Sequence, residues 1–164
     1  MMSRDLSSAP ILKWQVTGPV TFGMQVVDAE KRPIYYDAQL ADMLSKMLAL
    51  KARWCERGMM ECTGVRETLI IINEPYFASL GSSVVPVDRE TVIAGWNDIA
   101  ALVHGGLGIH CCANTDWEFV MNLMEDVTAT DTTPFYHENK WWLFTTIDST
   151  NGISGCSTEL IFFT

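Results

Sequence analysis

The chain has 164 residues, 48 % hydrophobic and 19 % charged, the profile of one folded domain and not of a disordered chain. A formal charge of −9 and a pI near 4.6, with no cluster of Lys and Arg, exclude a nucleic-acid-binding surface. No apolar run reaches the length of a membrane span, residues 1–10 carry Arg4 and Asp5 where a signal peptide would be apolar, and five unevenly spaced cysteines make no disulfide framework; a cytoplasmic protein with no membrane partner is expected.

In chain order, residues 11–16 predict a strand, stopped by Thr17-Gly18-Pro19 because Pro19 cannot continue a ladder. Residues 22–27 predict a short helix and residues 28–33 a polar loop. Asp37 is the N-cap of the longest predicted helix, with Leu40, Met43, Leu44, Met47, Leu48 and Trp54 as its core side and Gly58 as its stop. The continuous apolar run at 68–72 is too short for a helix and suits a strand covered on both faces, as in a parallel sheet; it ends in Asn73-Glu74-Pro75. A loop over 76–87 follows. Asp88 then caps a second amphipathic helix, with Val92, Trp96 and Ile99 inward, closed by Gly105-Gly106.

The stretch from Leu107 to Asp116, LGIHCCANTD, carries the strongest chemistry. A short strand delivers His110 and Cys112 two positions apart, so imidazole and thiol share one face while Cys111 points to the other. Neutral imidazole and thiolate are the commonest protein ligands of zinc. Thr115-Asp116-Trp117-Glu118 fits a capping box, which predicts a helix over 116–124, and residues 126–130 predict a fourth strand ending at Asp131. The β-α-β-α-β-α-β order predicts parallel strands. Polar groups at four successive strand ends would then converge on one rim, where β/α proteins place their sites.

Beyond Asp131 the pattern changes to strands without helices, at 141–147 and 157–163. The expected fold is α/β, a partial TIM-barrel-like (β/α) parallel sheet over 1–130 with a C-terminal antiparallel β-hairpin extension over 131–164.

The motifs KWQVTGPVT from Lys13, IIINEPY from Ile70 and GIHCCANTDW from Gly108, in this order and spacing, resemble the cobalamin-independent methionine synthase and uroporphyrinogen decarboxylase-like superfamily over about residues 11–131. The resemblance implies a TIM barrel. In the methionine synthase branch it implies zinc-activated thiol methylation, with His110 and Cys112 as metal ligands and Asn73, Glu74, Asn114, Asp116 and Asp131 on the substrate side. The partners implied are a small-molecule thiol and a methyl donor. Family strands at the second motif usually end in Asp-Glu-Pro, where this chain has Asn73. That branch also adds a Glu and a distant Cys to the zinc; Asp131 lies near the place of the Glu, and nothing matches the Cys. The uroporphyrinogen decarboxylase branch needs no metal. The tail from about 131 resembles one blade of a glycosidase-type β-propeller.

About four β/α units are legible, against the eight strands and about 250 residues of a complete barrel. The expectation is therefore a truncated barrel, weakly active or inactive alone, or a non-catalytic fragment or fusion product that self-associates through exposed sheet edges.

Overall fold

The computed structural model describes residues 9–83, 85–111 and, as backbone, 158–160. The elements are β1 (Leu12–Thr17), α1 (Pro19–Gln25), a 3-10 turn (Ile34–Tyr36), α2 (Ala38–Thr63), β2 (Thr68–Asn73), a second 3-10 turn (Pro75–Ser79), α3 (Arg89–Ala100), β3 (Gly106–Cys111) and β4 (Thr158–Leu160). Strands β1, β2 and β3 are parallel neighbours in sequential order, and β4 pairs antiparallel with β3. The protein is thus mixed α/β around a three-stranded parallel sheet. The strand expected over 126–130 lies outside the described residues, and the far edge of β3 is held by β4 from the tail.

Strand β2 sits in the middle, and Leu69, Ile70, Ile71 and Ile72 are all buried. The even positions Ile70 and Ile72 join Val16, Leu107 and Ile109 in one core with residues of α1, α2 and α3. Leu69 and Ile71 face the other way, with Ile11. All three described helices therefore cover the same face of the sheet. No helix among the described residues is long and apolar enough to cross a membrane.

Three helix expectations are corrected. Helix α1 begins at Pro19, not residue 22: proline lacks an N–H, and the first turn of a helix leaves that N–H unused. Helix α2 runs through Gly58, since one interior glycine costs only about 1 kcal/mol, and stops at Gly64, whose φ of 72° is the left-handed cap that favours glycine. Leu40, Met43, Met47 and Trp54, expected in the core, are exposed. The buried side of α2 instead carries small residues, Ala41, Ser45, Ala49 and Ala52, beside Leu44 and Leu48. Small side chains let the helix lie close to its neighbours; Gly95 of α3 packs directly on Ser45. Helix α3 starts as read, with the Asp88 carboxylate accepting from Thr91 N at 3.0 Å.

Glu56, on α2 and 1 % exposed, ties this layer to the sheet at the end where the strands begin. Its carboxylate accepts from His104 N at 3.0 Å, from Gly105 N just before β3, and from Thr68 Oγ1 at the start of β2 at 3.2 Å; Arg53 pairs with it from the same helix. Glu56→Ala leaves these buried donors unmatched and is expected to lower unfolding free energy by about 3 kcal/mol in urea titration. Arg57→Ala, which breaks the exposed Arg57–Glu61 pair, should change it by less than about 0.5 kcal/mol.

Candidate functional site at the strand ends

Parallel register sets Thr17, Asn73 and His110 side by side at the ends of β1, β2 and β3. The ladder continues one step further, with Gly18 N donating to Asn73 O at 2.9 Å and Glu74 N to His110 O at 2.8 Å. This holds the three strand ends level. By alternation Thr17, Asn73 and His110 share the face turned away from the helices, together with Gln15 and Lys13 one and two steps back along β1. Lys13 and Gln15 escaped the sequence reading, although their signal was there: Lys-Trp-Gln-Val-Thr alternates polar and apolar with the period of a strand.

Asn73 and His110 meet directly, Oδ1 of the amide lying 3.0 Å from Nδ1 of the imidazole. An amide oxygen only accepts, so Nδ1 carries the proton, and in the neutral ring the lone pair is on Nε2. Cys111 turns to the helix face, fully buried, with Sγ 3.9 Å from Pro75 O, on the opposite side from His110 as alternation requires. Cys112, Asn114, Asp116 and Asp131 lie outside the described residues. Among the described residues no three His, Cys, Asp or Glu side chains gather closely enough to hold a metal ion.

The Glu74 side chain is directed to α1. It is 0 % exposed, and its carboxylate accepts from Val20 N at 3.0 Å and Thr21 N at 2.8 Å, the open amides of the first turn of α1. Gly18 makes this approach possible, since a Cβ there would stand 2.2 Å from Glu74 Oε1. Thr21 Oγ1 in turn accepts from Tyr76 N at 3.3 Å. Burial pushes the Glu74 carboxyl up to about 7, against the pull of the Thr21 hydroxyl and the two amides. The buried Tyr35 hydroxyl is raised as well, first by burial and then by the charge of Glu74. The same carboxylate that the sequence suggests as a substrate contact is, in place, a cap for α1.

The sign of the pH effect follows. The folded state holds the Glu74 proton more tightly than the unfolded state, whose value is near 4.5. Stability from this group is therefore highest below the unfolded value and is lost as pH rises to about 7, by about 3 kcal/mol in total. Glu74→Gln should remove that slope, so wild-type and variant urea midpoints should follow different trends between pH 4.5 and 7. The variant should also be destabilised by about 2 kcal/mol at pH 5, because the amide NH2 faces a backbone N–H that needs an acceptor. Parallel trends would contradict the placement of this proton.

Comparison with protein-family models, with curated proteins and with solved structures found no match for this chain.

Proposed function

We propose that the chain belongs to a (β/α) barrel of the methionine synthase and uroporphyrinogen decarboxylase-like type, and that its strand-end rim takes up a small thiol at a zinc site built on His110 and Cys112. One contact carries the proposal, the 3.0 Å pair between Asn73 Oδ1 and His110 Nδ1. Metal-binding imidazoles generally give their second ring N–H to an oxygen acceptor, which orients the ring and fixes the tautomer. Asn73, placed where the resemblance expects an Asp, does this without adding a charge. The sequential parallel order of β1, β2 and β3, with helices on one face and Lys13, Gln15, Thr17, Asn73 and His110 on the other, is the arrangement that a barrel wall with a polar interior rim requires.

In this proposal His110 presents Nε2 as a donor, Asn73 holds the ring, and Cys112, two positions along, supplies sulfur. His110 and Cys112 would hold a zinc ion there, and the chemistry it would supply is stabilisation of a substrate thiol as its thiolate at neutral pH. Asn114, Asp116 and Asp131 belong to the substrate side. Glu74 touches no substrate and acts as a positioning residue through α1. A catalytic zinc takes three protein ligands and an open position, and Asp131 is the nearest third candidate, shorter than a Glu. The expected activity of the chain alone is thiol binding without methyl turnover.

Cobalt(II) titration of the purified protein tests this. One equivalent should bind with the absorption of a thiolate-to-cobalt bond, and an added small thiol should alter that spectrum. Asn73→Ala, which removes no donor atom from the metal, should weaken binding about 10- to 100-fold. His110→Ala/Cys112→Ala should abolish it. Stoichiometric binding that survives the double substitution, or no binding at all, would refute the proposal.

A further inference from the structure

Two hydrogen-bond donors stand side by side on the β1 side of the rim. The Asn73 side chain turns its oxygen to His110 Nδ1 at 3.0 Å. An amide carries its oxygen and its NH2 on opposite sides of one carbon, so the NH2, with two N–H donors, is turned away from His110 and towards β1. Thr17 is the register partner of Asn73 on that side, and its hydroxyl is a further donor. Neither the Thr17 hydroxyl nor the Asn73 NH2 has a partner among the described residues, and both residues are only half-buried.

Both donors are held in place before any ligand arrives. Gly18 N bonds Asn73 O at 2.9 Å, which keeps the end of β1 level with that of β2. Soon after Thr17 the chain enters α1, whose first amides are locked to Glu74, the residue that follows Asn73. Neighbouring strands lie about 4.8 Å apart. Two donors at that spacing can share one oxygen, since each reaches about 2.9 Å. Donors fixed in advance lose little freedom on binding.

Charge decides which oxygen. The row formed by Thr17, Asn73 and His110 holds no Lys or Arg. Lys13, on the same face of β1, lies about 13 Å back along the strand from Thr17. The whole chain carries a net charge of −9. A carboxylate would be desolvated at this place without a counter-charge, whereas the carbonyl of an amide loses far less. We propose that the Thr17 hydroxyl and the Asn73 NH2 form a subsite for the carbonyl oxygen of an amide-bearing thiol, with Thr17 as the residue that selects it. This rests on the thiol site proposed at His110 and Cys112 and names the substrate class of that site.

The cobalt-loaded full chain tests it with thiols of one skeleton, γ-mercaptobutyramide, γ-mercaptobutyrate and isohexyl thiol, each titrated by its effect on the cobalt spectrum. The amide should bind about 10-fold more tightly than isohexyl thiol, although the latter is the more apolar, and more tightly than the carboxylate. Thr17→Val exchanges the hydroxyl for a methyl of the same shape and should cut the affinity of the amide about 5-fold, removing most of its advantage. Thr17→Ser should keep that advantage. An unchanged circular dichroism spectrum shows that each variant is folded. A chain that takes up no cobalt overturns the metal site and this subsite with it. Cobalt uptake with isohexyl thiol or the carboxylate bound as tightly as the amide overturns the subsite alone, and so does an amide preference that survives Thr17→Val.

Discussion

A carboxylate sealed from water at the end of β2 organises this part of the molecule. Helix α1 has seven residues, too few to be stable alone, and its first amides have no partner within the helix. Glu74 supplies the partner from 53 and 54 residues away. In doing so it locks the end of β2 to the turn after β1, and it sets how closely Gly18 and Thr21 must approach. The arrangement balances two opposing effects: burial disfavours the charge, and the amides at a helix start favour it. The balance point near neutrality is a consequence of that opposition.

Glu56 performs the matching task at the other end of the strands. It reaches from α2 to the chain before β3 and to the first residue of β2. Between the two carboxylates β2 is apolar on both faces, so its polar chemistry is confined to its termini. At one terminus Thr68 bonds Glu56, and at the other Asn73 bonds His110. The face away from the helices is where polar side chains of β1 stand in line with that last pair. Strands with level ends hold the imidazole in one orientation against Asn73.

Helix α2 shows how an apolar pattern can serve two surfaces. One side packs through alanine and serine, where close approach outweighs side-chain volume, and the larger Met, Leu and Trp side chains are left outward.

The sequence alone determined the elements whose cause is local. The β-branched run at 68–72 specifies a strand buried on both faces; Asp37 and Asp88 specify helix starts; alternation around Ile109 specifies that His110 and Cys111 face opposite ways. These follow from a few neighbouring residues, and they appear in the structure as read. Tertiary structure decided what depends on partners far along the chain. Glu74 stands two residues beyond Ile72 and looks like a rim carboxylate, yet the amides that claim it belong to Val20 and Thr21. Likewise Asn73 acquires its role only because register sets it against His110, 37 residues later. The apolar positions of α2 fit two faces of one helix, and periodicity cannot tell which of them meets the sheet. That choice was made by the small residues on the other side, because packing distance, a property of two elements together, is absent from the pattern of one.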